Sequence, residues 1–480
     1  MLNNLLTLSA LEIAQKIKSR QISSEEVVSV HIDRAKKVNK FLNAIVQSRY
    51  EDALSEAKKC DTILKKGRDT LPLYFGVPCT LKENFAFQGF PQTSGLVYRK
   101  SFIAEKNATC VQRIIDSGAI VIGTTNVSEL CMWMESNNKV YGRTNNPYDL
   151  NRIVGGSSGG EGSIIGSGSS PFGLGADIGG SIRMPAFFNG VFGHKPSGGL
   201  VPGSGQYPMA NNQALRYLTT GPLCRKSADL KPLLKLLAGK DGIDEGVLDY
   251  NLDWEEKLDY SKLEVISITE NGIISVSSEL KEIQSKVLHF LKRKGAIELN
   301  VEFPELKNSF EIWSAMLSDS GGSSFEDLLF QGRDYNLGLE VIKSIFGHSE
   351  FTLPGLGLAI IEKIPKFFPS DTKKFIELGL SLKEKFNKIL NKNTILLFPS
   401  YSSTAPYHNE PIFKTLDWIY TAIINVMELP STQVPMGLSE NGIPLGLQVI
   451  SNTGRDIQCI NIAIELEKEF GGWVPPNLLN

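Results

Sequence analysis

Residues 155 to 205 pack glycine and serine densely and interleave them with large apolar side chains. The tract opens GGSSGGEGSIIGSGSS (155–170) and continues PFGLGADIGGSIRMPAFFNGVFGHKP (171–196). A flexible linker would be rich in glycine and serine but poor in bulky residues. Here Phe172, Leu174, Ile178, Phe187, Phe188, Val191 and Phe192 sit inside the tract. Glycine-rich backbone in an apolar setting implies tight turns and close approach to a ligand. The chain as a whole is glycine-rich, with 44 in 480 residues, about 9% against a usual ~7%.

The rest of the composition narrows the class. A 41% hydrophobic and 21% charged chain can bury a large core and is not disordered. Fifty basic against 52 acidic residues lack the basic excess of a nucleic-acid binder. Cys60, Cys79, Cys110, Cys131, Cys224 and Cys459 are scattered, without the close spacing of a zinc site or disulfide framework. Cys79 reads as a buried structural thiol. The N-terminus is interrupted by charge too soon for a signal peptide, and no run of ~18 apolar residues encodes a membrane span. The expected location is cytoplasmic, or peripheral on a membrane.

Hydrophobic periodicity predicts helices through residues 8–66, with Ser23 to Glu26 as a capping box. Apolar runs at 73–81, 119–123, 265–269, 394–400 and 444–451 read as buried strands. Helical patterns at about 108–117, 279–294, 376–391, 411–426 and 456–470 lie between them. The alternation predicts an α/β fold. Residues 300–375 have the weakest pattern and read as an insertion or variable substrate region.

Three kinds of chemistry compete for the tract. A phosphate loop needs Lys-Ser/Thr after its glycines, and none follows. Gly155–Gly159 matches the G-x-S-x-G elbow with Ser157 as nucleophile, but that enzyme needs a downstream acid and histidine. Histidines are scarce, and only His194 lies near the motifs. The third reading needs no histidine: Lys82, Ser157 and Ser181 lie in GVPCTLKENF (76–85), GGSSGG (155–160) and DIGGSIRMPAFFNGVFGHKPSGGLVP (177–202). Ser157 follows Lys82 by 75 residues and precedes Ser181 by 24.

These three segments, in this order and spacing, resemble the amidase signature family. The likeness extends from the N-terminal helices to PLGLQVIS and FGGWVPP at the end. It implies one α/β/α body over residues 1–480, with a mixed, largely parallel central sheet covered by helices. Residues 1–70 would be N-terminal helices, 71–205 the catalytic core and 300–375 the variable substrate region. By the same resemblance Lys82, Ser157 and Ser181 form a Ser–cisSer–Lys triad, with Ser181 the nucleophile and a cis Gly156–Ser157 peptide. Ser158 is a supporting residue. The backbone N–H groups of Ile178, Gly179, Gly180 and Ser181 match the family's oxyanion hole. Asp177 and Arg183 read as anchors of that turn, and His194 as structural.

The residue types suit the chemistry. Serine is a weak nucleophile and needs a base. Lysine can be that base only when neutral, and burial lowers its pKa from ~10.4. No metal or organic cofactor is implied.

Glu161 and the FGGWVPP ending resemble the fatty-acid amide hydrolase branch. That implies a long-chain N-acyl amide as substrate: a small molecule or lipid, with no nucleic-acid partner. The family tendency is to homodimers. The apolar segment 351–368, with Lys363 and Lys366, reads as a core-facing helix or one resting on a membrane or acyl channel. Met132, Trp133 and Met134 read as core or as acyl-pocket lining. The alternatives are the glutaminase component of a tRNA-dependent amidotransferase, a short-chain or aryl amidase, and a lipid-binding protein with a silent site.

Overall fold

The apolar runs pair into a single eleven-stranded sheet in the computed structural model, which describes residues 4–67, 70–321, 323–333, 335–362 and 369–477. In chain order the strands are β1 (Ile45–Ser48), β2 (Pro78–Lys82), β3 (Ile120–Thr125), β4 (Phe172–Asp177), β5 (Phe192–Lys195) and β6 (Thr219–Cys224). Then come β7 (Glu264–Ser267), β8 (Ile297–Glu298), β9 (Thr394–Phe398), β10 (Ser431–Leu438) and β11 (Pro444–Ile450). Their spatial order is β1-β3-β2-β4-β6-β5-β10-β11-β9-β7-β8. One sheet thus joins both halves of the chain.

The sheet is mixed, as expected, but it is not largely parallel. From β4 through β6, β5, β10 and β11 to β9 every pairing is antiparallel. Parallel pairs flank this centre, with β2 beside β3 and β4, and β7 beside β9 and β8. One parallel pair matters most. Thr80 and Leu81 of β2 lie opposite Gly173 and Leu174 of β4. Both strands therefore end on the same side, where open α/β sheets bind ligands.

Helices cover both faces because β4 is built differently on each. Phe172, Leu174 and Ala176 enter a core shared with Ile13, Ile17 and Ile460. Gly173 and Gly175 face the other way, and a Cβ at Gly173 would meet Glu161 Oε2 at 1.8 Å. The helix Gly159–Gly166 fills that space, with Ile164 and Ile165 packing against Val28 and Ile32. Its glycines are needed for contact: a Cβ at Gly160 would meet Asn126 N at 2.4 Å, and one at Gly162 the Pro185 carbonyl at 2.7 Å. Each helical glycine costs ~0.5–1 kcal/mol relative to alanine, and each fully buried isoleucine returns ~1.5–3 kcal/mol.

Most predicted elements form, with informative exceptions. The helical stretch 8–66 is interrupted by β1, which pairs antiparallel with β3. Ser23 does cap the helix Ser24–Leu42, accepting from Glu26 N at 3.0 Å. The reciprocal bond is not formed among the described residues. Asp61 instead takes the free Ser24 and Glu25 N–H groups, at 2.8 and 3.0 Å. The full capping box is at Ser9 and Glu12. The helix expected over 411–426 is only Ile419–Val426, because Ile412, Phe413 and Leu416 are exposed and find no core to reward a longer one. Residues 300–375 carry the helices Ser309–Asp319, Phe325–Phe330, Leu337–Ile345 and Leu353–Ile361. The 351–368 segment is thus helical in its first part, while Lys363 and Lys366 lie outside the described residues.

Candidate active site

Lys82 is the last residue of β2 and is buried among strands. Its Nζ lies 2.8 Å from Ser157 Oγ and donates to the Ala176 carbonyl at 3.4 Å. Burial holds its pKa below the usual lysine range; the nearby Cys131, Asp177 and Glu161 work against that. The apolar run before it supplies this setting, since Tyr74, Phe75 and Val77 are all core residues.

Ser157 sits in the loop that leads into the helix Gly159–Gly166. The Gly156–Ser157 peptide is cis, as the resemblance implies, and Gly155 takes the left-handed φ of 79°. Ser136 clamps the loop. Its one Oγ–H is shared between the carbonyls of Gly155 and Ser157, at 3.1 and 3.3 Å, and its Oγ accepts from Gly159 N at 3.0 Å. Gly156 has no room for a side chain, because a Cβ would meet the Trp133 carbonyl at 2.0 Å. Ser158 supports rather than reacts: its N–H donates to the Ser181 carbonyl at 3.2 Å and its Oγ to that of Ala176 at 3.3 Å.

The turn after β4 carries Ser181, and its backbone can be accounted for group by group. The Asp177 carbonyl accepts from Asn425 Nδ2 at 2.9 Å and Thr219 Oγ1 at 3.2 Å. The Ile178 carbonyl accepts from Trp313 Nε1 at 3.0 Å, and that of Gly179 from Thr421 Oγ1 at 2.8 Å. The Gly180 carbonyl accepts from Met184 N at 2.7 Å. The N–H groups are treated differently. Those of Ile178, Gly179 and Ser181 donate to nothing among the described residues. Gly180, at φ 121°, is a correction to the expected set of four, since its N–H donates to Asp177 Oδ1 at 2.6 Å. Ser181 Oγ also has no partner among the described residues, and the residue is 8% exposed, the most open of the three reactive candidates.

Asp177 and Arg183 anchor the turn, as expected. The guanidinium grips the carboxylate through Nε and Nη2, both at 3.0 Å, and reaches Gln448 and Asn425 with its remaining donors. Both side chains are fully buried. Arg183 holds the Asp177 carboxyl well below the usual range against the opposing effect of burial. Removing one partner strands a buried charge, which typically costs ~3–5 kcal/mol. Asp177→Ala is therefore expected to lower the urea midpoint sharply; a midpoint within error of wild type would contradict the anchoring role.

The surroundings of the site combine residues singled out in the sequence with others, such as Cys131 and Trp313, that are not. Cys79 is a core thiol, as read, pushed well above the usual range by burial. The thiol beside the site is that of Cys131: burial raises its pKa, and Lys82, Ser157 and Ser94 oppose that shift. Glu161 lies under the site, accepting from Thr80 at 2.7 Å and Thr125 at 2.9 Å, with burial raising its pKa to about 8. Trp313 and Trp418 meet edge to face at 4.8 Å over Gly179. Met134 is core, with Met132 and Trp133 packed at its edge. His194 is structural, bonded to Thr432 and Asp456. Among the described residues no cluster of His, Cys, Asp or Glu could hold a metal.

Comparison with known proteins shows the family to which the chain belongs. The family model described as Amidase matches residues 26–460. A fatty-acid amide hydrolase 2-B of Danio rerio is 42% identical, over 99% of this chain and 92% of its own. A glutamyl-tRNA(Gln) amidotransferase component from Fusobacterium nucleatum is 30% identical over 99% of each. The structure of a 6-aminohexanoate cyclic dimer hydrolase superposes with a TM-score of 0.83 at 21% identity, covering 100% of both chains. With the model spanning most of the chain and relatives matching end to end, the chain belongs to the amidase family and is an amide hydrolase.

Proposed function

We propose that the protein hydrolyses long-chain fatty-acid amides, with Ser181 as nucleophile, Ser157 as proton relay and Lys82 as base. The observation that carries the mechanism is the 2.8 Å contact between a buried Lys82 and Ser157, beside a turn with three N–H groups unpaired among the described residues. Neutral Lys82 takes the Ser157 proton while Ser157 takes that of Ser181, whose oxygen attacks the amide carbon. The N–H groups of Ile178, Gly179 and Ser181 stabilise the oxyanion, each worth ~10²–10³-fold in comparable enzymes. The proton then returns through Ser157 to the leaving nitrogen, and water releases the acid by the same relay. The 42% identity to a fatty-acid amide hydrolase, against 30% to an amidotransferase component, favours the lipid substrate over glutamine. A hydrolysis screen tests this across N-acyl ethanolamines, primary fatty amides, short and aryl amides, and glutamine. kcat/KM should rise with acyl length; ammonia release from glutamine above all else would overturn it.

The reading includes peripheral contact with a lipid surface. Leu339, Ile342 and Phe346 (71% exposed) share one face of the helix Leu337–Ile345 and its end, and Ile345, Leu353 and Ile360 are further exposed apolar side chains on this helix and on Leu353–Ile361. Among the described residues no helix is long and apolar enough to cross a membrane, so the contact would be interfacial. Wild type should co-sediment with phosphatidylcholine–phosphatidylserine vesicles, and Ile345→Asp/Phe346→Asp should not, while turnover of a short soluble amide stays the same. A wild type that remains in the supernatant would refute the contact.

A further inference from the structure

We propose that Trp313 and Thr421 are positioning residues that set the peptide planes of the turn Ile178–Ser181. The proposal rests on the reading of that turn as the oxyanion site.

In a trans peptide the C=O and the following N–H point in opposite directions. Fixing a carbonyl therefore aims the N–H behind it. Trp313 Nε1 holds the Ile178 carbonyl at 3.0 Å, so the Gly179 N–H points away from the indole. Thr421 Oγ1 lies 2.8 Å from the Gly179 carbonyl and shares its one proton between it and the Trp418 carbonyl, also at 2.8 Å, while the Gly180 N–H behind the first donates to Asp177 Oδ1 at 2.6 Å. The second peptide shows the rule at work, since both of its ends have partners. The first has a partner at its carbonyl only among the described residues, which leaves its N–H for the substrate.

The control is needed because glycines flank these peptides, and glycine permits the rotation that would flip them. A flipped Ile178–Gly179 peptide would present a carbonyl oxygen to the developing oxyanion and repel it. The indole is itself held in place: Trp418 packs edge-on against it at 87°. Trp418 also closes over Gly179, where a Cβ would meet its ring at 2.9 Å. Trp313 and Thr421 come from the helices Ser309–Asp319 and Ile419–Val426, both remote in sequence from the turn they orient. Neither side chain needs to touch the substrate to act in this way.

Trp313→Phe keeps an aromatic ring and removes the N–H. Its kcat on a fatty-acid amide should fall ~10-fold or more, with KM within about twofold, because the lost interaction matters only in the transition state. An ester of the same acyl group should lose as much, since both substrates form the oxyanion. Affinity for an acyl trifluoromethyl ketone, a tetrahedral mimic, should fall in parallel with kcat/KM. Thr421→Val should shift the same quantities in the same direction but by less, because Asp177 still holds the other end of the Gly179–Gly180 peptide, and Thr421→Ser, which restores the hydroxyl, should recover wild-type kcat. If Trp313→Phe does not fold, as read by thermal melting, the Val and Ser variants carry the test. Unchanged kcat in Trp313→Phe, or a raised KM with kcat intact, overturns the positioning role. Failure of the parent reading looks different: wild type itself would not turn over amides.

Discussion

Replacing Ser181 with alanine is expected to reduce amide hydrolysis by about 10⁴–10⁶-fold, the scale seen when a serine hydrolase loses its nucleophile. A fluorophosphonate probe should label wild type and leave Ser181→Ala unlabelled. The variant should fold normally. Ser181 Oγ has no hydrogen bond to lose among the described residues, and its backbone anchors, the Ser158 N–H and the Asp177–Arg183 pair, are untouched. A melting temperature near wild type with no turnover would therefore separate chemistry from stability. Ser157→Ala provides the contrast. It removes the atom 2.8 Å from Lys82 Nζ but keeps the nucleophile, so it should retain slow labelling at high pH, where hydroxide replaces the relay. Equal labelling of wild type and Ser181→Ala would sink the assignment.

The parts of the site that a reader of the sequence could find are those that lie in contiguous motifs. Lys82 ends an apolar strand, and Ser157 and Ser181 lie in a glycine-rich tract whose spacing is recognisable. What stays hidden depends on packing across the chain. Trp313 and Thr421 reach the oxyanion turn from positions 135 and 242 residues away, and Trp313 belongs to the stretch with the weakest periodicity. Cys131 lies in a stretch where it and Leu130 both take left-handed φ, at 56° and 50°, which no local propensity predicts for these residue types. The glycines are legible as a sign of close approach, yet several serve a helix pressed against backbone rather than a ligand. Position alone groups Gly180 with the oxyanion donors; its N–H goes to Asp177 because a buried carboxylate takes the nearest donors. β1 and the late start of the helix expected over 411–426 depart from the pattern for a related reason: amphipathic period reports a tendency, and tertiary partners decide its limits.

Lys82→Met should have the second largest effect, and its pH dependence is the more informative result. Amide hydrolysis should fall by ~10²–10⁴-fold, the usual range for losing a general acid–base group. Ester hydrolysis should fall less, because an alkoxide leaves with less protonation than an amine. Burial lowers the Lys82 pKa, so the neutral base becomes available as pH rises through a value below the ordinary ~10.4. Wild-type kcat/KM should therefore climb to a plateau, and Lys82→Met should lose that limb. Two buried carboxyls titrate nearby, Glu161 at about 8 and Glu83 at about 7. Glu161→Gln and Glu83→Gln should each retain the limb if it belongs to Lys82. Stability supplies an independent check with a fixed sign. Between the lowered folded pKa and the unfolded one, the unfolded chain binds more protons, so stability rises with pH across that window. Methionine carries no proton and removes this slope. The variant should thus be less active and, at pH values below the folded pKa of Lys82, more stable than wild type. An unchanged ratio of amide to ester rates, or a wild-type limb centred in the ordinary lysine range, would contradict the role of a buried neutral base.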